Sequence, residues 1–123
     1  MTYVITLYSV RSETVSHFVR SIGRDGEWHS QSRAVAPALI ATDLLQHEPS
    51  ASGPFLSPSS TLLVCLDLWI SREAYLRAFQ SAECQQLFLD RRMMAESAFE
   101  FGPFCNPKRL DPLIAATSSE VRN

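Results

Sequence analysis

Residues 60–75 read STLLVCLDLWISREAY, and this stretch decides the fold. Residues 61–69 are almost entirely apolar or β-prone, which indicates a buried strand. Ser71 follows as a helix N-cap, with Glu73 in the first turn, where an acidic side chain stabilises the positive end of the helix dipole. From Ala74 onward apolar residues recur at helical spacing. The sequence therefore predicts a strand that leads directly into an amphipathic helix.

The rest of the chain supplies three further strands and one further helix. A first strand is expected over residues 3–10, followed by a helix that Ser12 caps and that ends at residues 23–26. Residues 27–33 are polar and lack a period, so we interpret them as a connection. The remaining predicted elements are a second strand at 36–46, a long polar loop at 47–60, a second helix broken at Ser81 that runs to about residue 96, and a fourth strand at 97–104.

This order, β-α-β-β-α-β, is typical of the ferredoxin-like α+β arrangement, in which two helices cover one face of a four-stranded antiparallel sheet. The third strand is apolar on both faces, with Leu66 and Leu68 opposite Cys65, so the face without helices also needs cover. A second copy of the chain is the simplest cover. The pattern thus predicts a homodimer whose two sheets form one α/β barrel. We expect this domain at residues 1–104 and a C-terminal arm or tail at residues 105–123.

Composition narrows the possible partners. The 123 residues make one domain, and a formal net charge of -2 gives no basic surface for nucleic acid or an acidic membrane. No apolar run approaches the length of a membrane span, and the N-terminus lacks a leader pattern, so a cytoplasmic location is expected. The three cysteines and three histidines lack metal-ligand spacing. Neither a metal site nor a disulfide framework is therefore predicted.

Alternation along the third strand places Cys65, Asp67 and Trp69 on one face. A carboxylate within an apolar strand is costly to bury unless it is paired, protonated or catalytic. Asp67 is accordingly either functional, as a general base or a hydrogen-bond partner for a substrate, or structural, as one half of an ion pair with an arginine or a strand-end residue at solvent. Arg91 and Arg92, near the end of the second helix, include a candidate partner, and solvated surface charge is the alternative for both.

Aromatic side chains recur along the inner face of the second helix, at Tyr75, Phe79 and Phe88. Such a stripe is more often core than ligand contact. Trp69 offers a flat apolar face and one N–H donor, which suits either a ligand platform or a core residue. If the interior is filled, the three aromatic side chains should pack directly on Trp69. If it is open, they and Cys65 line a cavity for a small molecule.

The Trp-x-Ser-x-x-Ala-Tyr segment at residues 69–75, together with the helix break at Ser81, resembles the family of antibiotic-biosynthesis monooxygenases and related dimeric α/β barrels. The likeness in element order covers about residues 2–104. It implies a homodimer with a cavity for small aromatic compounds beside Trp69. It also implies oxygenation of a phenolic or quinol-like compound without a cofactor, with Asp67 as base or anchor.

Two departures from this family matter for function. Its haem-degrading members hold iron with a histidine on the second helix, and counting from Trp69 places Phe88 there, so haem degradation is disfavoured. Its polycyclic-phenol oxygenases carry a polar amide on the strand where this chain has Cys65, a weak hydrogen-bonding group. The alternative function is a non-catalytic dimeric module, which either binds a small molecule or serves only as structure.

Overall fold

The computed structural model describes residues 1–48 and 59–105, which form one four-stranded sheet and its helices. The helices and strands are β1 (Thr2–Arg11), α1 (Val15–Ile22), α2 (Glu27–Val35), β2 (Leu39–Gln46), β3 (Ser60–Trp69), α3 (Arg72–Ala78), α4 (Ala82–Met93) and β4 (Ser97–Phe104). The strand order is β2-β3-β1-β4, and every neighbouring pair is antiparallel. The predicted ferredoxin-like α+β fold is confirmed.

Both halves of the broken second helix begin at the predicted caps. The hydroxyl oxygens of Ser71 and Ser81 each accept the backbone N–H three residues on, at 3.0 and 3.3 Å. The expected cap at Ser12 is wrong: its Oγ lies 3.3 Å from Thr61 Oγ1, and α1 starts without a side-chain cap. The two caps form where the chain passes from β3 into α3 and where the second helix breaks between α3 and α4.

Helix α2 occupies the region interpreted as a connection, and that interpretation is wrong. The helix buries only Trp28 and Ser32, so its sequence shows almost no apolar period. Trp28 holds it in place, since its Nε1 donates to the carbonyl oxygen of Leu87 on α4 at 2.7 Å. A tertiary contact, rather than an amphipathic pattern, stabilises α2.

Gly26 separates α1 from α2 at a close backbone approach. A Cβ at this position would collide with the carbonyl oxygens of Arg20 and Ser21 in the last turn of α1. The chain can turn between the two helices here because glycine has no side chain.

The two faces of the sheet differ in burial. The helix-covered face is the core, and its buried members on the central strands are Thr2, Val4, Thr6, Tyr8, Val10, Leu63, Cys65, Asp67 and Trp69. The opposite face is also apolar but only half-buried on β1 and β3, and Phe99 and Phe101 of β4 are 66% and 45% exposed there. None of the elements in the described ranges covers this second face, which we call the open face.

The predicted loop at 47–60 lies mostly outside the described residues, and so does nearly all of the predicted tail at 105–123. The division into a domain and an arm therefore stays a prediction. Within residues 1–48 and 59–105, no helix combines the length and the apolar character needed to cross a membrane.

Candidate functional site

Asp67 forms a buried ion pair with Arg91 of α4. Nη1 and Nη2 of Arg91 donate to Oδ1 and Oδ2 of Asp67 at 2.9 and 2.8 Å, and both side chains are 1% exposed. The hydroxyl of Thr42 on β2 also donates to Oδ1, at 2.9 Å. Both carboxylate oxygens are thus hydrogen-bonded, which offsets the cost of removing the charge from water.

Aromatic rings and a phenol enclose the guanidinium of Arg91. Its Nε donates to the hydroxyl of Tyr8 at 2.6 Å, and its Cζ lies 4.8 and 4.7 Å from the ring centroids of Trp28 and Phe88. Burial lowers the pKa of Arg91, but the charge and hydrogen bonds of Asp67, together with Cys65 and Tyr8, outweigh burial, so the pKa lies well above its usual value. Arg91 therefore remains charged and paired at any ordinary pH.

Asp67 therefore forms an ion pair with Arg91, which the sequence allows as an alternative to a role as general base. A general base needs a lone pair directed at its substrate. At Asp67 the guanidinium of Arg91 holds both oxygens, so proton transfer would require this pair to open. A catalytic role for Asp67 stays a prediction, and the geometry favours the structural role.

Cys65 lies beside this pair. Its thiol is buried and points to Asp67 Oδ1 at 3.9 Å, a weak contact. Burial raises the pKa of Cys65 to about 12, so the group is a neutral thiol at physiological pH. A thiolate nucleophile at this position is excluded under those conditions.

Trp69 is completely buried and packs against the three predicted aromatic side chains. Its ring centroid lies 5.3 Å from that of Tyr75, 5.8 Å from that of Phe79 and 5.9 Å from that of Phe88. The structure thus brings these four residues together, and it does so as the packed cluster expected for a filled interior. We call this group the aromatic cluster.

Two buried polar atoms near the cluster have no hydrogen-bond partner among the described residues: Nε1 of Trp69 and Oγ1 of Thr6. An indole N–H can only donate, and burying it without an acceptor costs on the order of 1–3 kcal/mol. Trp28 shows the usual solution, because its Nε1 reaches a backbone carbonyl. The Nε1 of Trp69 is therefore a position where an oxygen atom of a ligand or a water would be stabilised.

A polar pair at the edge of the sheet borders the aromatic cluster. The hydroxyl of Tyr75 donates to Oε1 of Glu100 on β4 at 3.3 Å. Burial and then the Glu100 charge raise the pKa of Tyr75 to about 12, so its phenol remains a donor at neutral pH. Glu100 lies directly opposite Thr6 in the β1–β4 register, and its carboxylate is exposed.

Glu100 is not among the residues that the sequence singles out. The segment Ala98-Phe99-Glu100-Phe101 alternates, but a single alternating strand does not show which face meets the helices. The cross-strand partner Thr6 decides the face, and that pairing is known only from the register. Among the described residues, no group of three or more His, Cys, Asp or Glu side chains could hold a metal ion.

Solved structures share this fold at low sequence identity. HapK from Hahella chejuensis is 13% identical over 86% of this chain and 95% of its own, with a TM-score of 0.57. A protein from Arabidopsis thaliana is 10% identical over 86% of this chain and 98% of its own, with a TM-score of 0.56. The chain has their fold. No protein-family model and no curated protein sequence matches it.

Solved structures described as antibiotic biosynthesis monooxygenases, two of them as putative ones, also match, at TM-scores of 0.41–0.47. A variant of SnoaB, a cofactor-independent oxygenase from Streptomyces nogalater, is 13% identical over 85% of this chain and 94% of its own, with a TM-score of 0.43. At such identity the likeness concerns the fold, and one fold supports many functions. The shared fold therefore does not identify the function of this chain, which depends on the side chains of its own site.

Proposed function

We propose that the protein binds a small phenolic or quinol-like compound beside Trp69 and oxygenates it without a cofactor. The observation that carries this proposal is the Nε1 of Trp69, which is buried among aromatic rings and has no acceptor within residues 1–48 and 59–105. An aromatic ligand would pack on these rings, and its oxygen atom would accept the indole N–H.

The reaction needs a base, a site that excludes water, and dioxygen as the co-reactant. The base removes a proton from the bound compound, and the resulting anion passes one electron to dioxygen. The two radicals then combine at a ring carbon to form a peroxide. The base returns its proton to the peroxide. Loss of the second hydrogen from that carbon as a proton then breaks the O–O bond, which leaves a carbonyl on the ring and releases the other oxygen as hydroxide, which combines with that proton to form water. All electrons come from the substrate, so no external reductant enters.

Access to the aromatic cluster is narrow. Ala36, Ala38 and Ala78 pack on the cluster and also line a cleft of about 200 Å³ between α3 and the segment that precedes β2. Sites for drug-sized ligands measure about 300–1,000 Å³. Binding a polycyclic compound therefore requires a side chain of the cluster to move, and Tyr75 is the half-buried member next to solvent.

Anthrone is a suitable probe, because its keto and phenol tautomers interconvert and its oxidation to anthraquinone consumes one dioxygen and releases one water. We expect the protein to accelerate dioxygen uptake and anthraquinone formation. Trp69→Phe retains an aromatic ring but removes the N–H, and it should weaken anthraquinone binding about fivefold to tenfold, the equivalent of one hydrogen bond. Trp28→Phe is the matched control, since the Nε1 of Trp28 already has its partner. Equal rates with and without protein would contradict the proposal.

A non-catalytic binding module is the second candidate, and the packing of Trp69 favours it. The aromatic cluster is filled, and Asp67 is held by Arg91. This candidate predicts that anthraquinone quenches the tryptophan fluorescence while anthrone is not oxidised above its background rate. The two functions are thus separated by one pair of measurements.

We also propose that the working unit is a homodimer joined through the open face. Apolar side chains of all four strands lie on that face, including the exposed Leu45, Phe99 and Phe101. Contiguous apolar surface of this kind marks an interaction site. A second copy matches it by two-fold symmetry, because each copy then covers the other. Cytoplasmic location stays a prediction.

A further inference from the structure

We infer that Glu100, rather than Asp67, accepts the proton of the substrate, and that the Tyr75 hydroxyl occupies Glu100 until a ligand arrives. This inference rests on the proposed function and names the base of that site. Its basis is a group of four polar side chains at one end of the aromatic cluster: Thr6, Trp69, Tyr75 and Glu100.

A ring contact, a hydrogen bond and a strand pairing connect these four residues. The ring of Tyr75 lies 5.3 Å from that of Trp69, and its hydroxyl reaches Glu100 at 3.3 Å. Glu100 is the direct cross-strand neighbour of Thr6, and side chains so paired have Cβ atoms about 4.5–5.5 Å apart. Two of the four, Thr6 and Trp69, contribute buried polar atoms with no partner in the described part of the chain. The Tyr75 side chain thus links the Trp69 ring to the Glu100 carboxylate, and Thr6 is the strand neighbour of that carboxylate.

Glu100 and Asp67 differ in their freedom to take up a proton. Both oxygens of Asp67 are bound by a guanidinium in the interior. Glu100 is exposed, and its contact with Tyr75, at 3.3 Å, is long for a hydrogen bond between two oxygens. A ligand hydroxyl can therefore replace the Tyr75 hydroxyl at Glu100 without opening a buried ion pair.

The donors and acceptors define the substrate class. Trp69 Nε1 can only donate, so it selects a carbonyl or phenolate oxygen, whereas ionised Glu100 can only accept, so it selects an acidic O–H or C–H. The compound that satisfies both is an aromatic ketone in tautomeric balance with a phenol. In the first step the bond from hydrogen to the ligand breaks, an O–H bond forms on Glu100, and the electron pair remains on the ligand as its anion. That anion supplies the electron that reduces dioxygen.

The test compares Glu100→Gln with wild type in anthrone oxidation, followed by dioxygen uptake. We expect a loss of about 10²–10⁴-fold in kcat, the usual contribution of a general base, with partial recovery in Glu100→Asp. Anthraquinone binding should stay within about twofold of wild type in Glu100→Gln, which shows that the fold and the site persist. Tyr75→Phe should lower KM, because the hydroxyl that competes with the ligand for Glu100 is gone.

Each outcome is decisive. If wild type oxidises anthrone and Glu100→Gln does so at a similar rate, Glu100 is not the base, while the proposed function stands. If Glu100→Gln loses both turnover and anthraquinone binding, Glu100 is a binding group and the inference is overturned. If wild type does not oxidise anthrone, the proposed oxygenation and the inference fall together, whether or not anthraquinone binds.

Discussion

Arg91 on α4 donates two parallel hydrogen bonds to Asp67 on β3, at 2.9 and 2.8 Å, in a contact from which water is almost wholly excluded. A bidentate pair fixes both the distance and the rotation of the helix relative to the strand. Phe88 lies three residues before Arg91 on the same side of α4, so the pair also sets Phe88 against Trp69. The ion pair therefore positions Phe88 within the aromatic cluster.

Removing one charge of this pair should destabilise the fold strongly. We expect Asp67→Asn, which preserves shape, to lower the free energy of unfolding by about 3–5 kcal/mol, because it leaves the Arg91 guanidinium buried and unpaired. Urea denaturation followed by circular dichroism measures the change. The control is the double variant Asp67→Leu with Arg91→Met, which removes both charges and should recover to within about 2 kcal/mol of wild type. A double variant as unstable as the single one would show that the hydrogen bonds to Thr42 and Tyr8 dominate instead.

Stability should fall in alkali. Burial raises the pKa of Cys65 from 9.0 to about 12 and that of Tyr8 from 10.0 to about 12. Between these values the unfolded chain has released protons that the folded chain retains, so the free energy of unfolding decreases as pH rises from about 9 toward 12. The slope approaches roughly 1.4 kcal/mol per pH unit for each such group. Below the ordinary pKa of each group, its contribution to the free energy of unfolding does not change with pH.

Cys65→Ala isolates the contribution of this thiol in the same experiment. Burial also raises the pKa of Cys84, so without Cys65 the decline should still begin near pH 9 but with a slope smaller by up to about 1.4 kcal/mol per pH unit. Urea midpoints measured at intervals of half a pH unit reveal the slope. An unchanged slope in Cys65→Ala would mean that the buried Cys65 thiol does not contribute to the alkaline transition.

The three thiols should react at very different rates. Cys65 and Cys84 are buried, and burial raises the pKa of both, whereas Cys105 is exposed. Only a thiolate reacts with a disulfide reagent. At pH 8 we expect one fast thiol per native chain in a titration with Ellman's reagent, and three after addition of denaturant. Cys105→Ser should abolish the fast phase, and a residual fast thiol in that variant would show that the core opens readily.

Local patterns account for the parts of the structure that the sequence predicts well. The period of two along β3 places Cys65, Asp67 and Trp69 on one face, and all three are buried together as expected. At Ser71 and Ser81 the hydroxyl accepts a backbone N–H only three residues further along the chain, so these caps can also be predicted from the sequence. Strand alternation and helix caps can be predicted from the sequence because they form without a contact to a distant part of the chain.

Contacts between distant elements could not be predicted in the same way. Arg91 and Arg92 are adjacent and chemically equal in the sequence, and only the rotation of α4 directs Arg91 inward to Asp67. Glu100 acquires its position from the register of β4 against Thr6. Helix α2 depends on one indole bonded to a carbonyl 59 residues away. In each case a tertiary contact decides the structure. The local sequence pattern alone is equally compatible with a structure that the protein does not adopt.

The open face gives the sharpest test of the homodimer. Phe101 lies opposite Ile5 on that face and is 45% exposed, while Leu76, on α3, is 49% exposed. A carboxylate introduced into an apolar interface must lose its water, so Phe101→Glu should dissociate the dimer, whereas Leu76→Glu should not. Light scattering after size exclusion distinguishes a mass of 13.8 kDa from twice that value. A monomeric wild type, or a Phe101→Glu protein that remains dimeric, would place the partner of this face elsewhere. Because the two positions are similarly exposed, the added charge and the apolar area lost are nearly the same in both variants. A difference in mass between the two variants therefore reflects only the location of Phe101 on the open face.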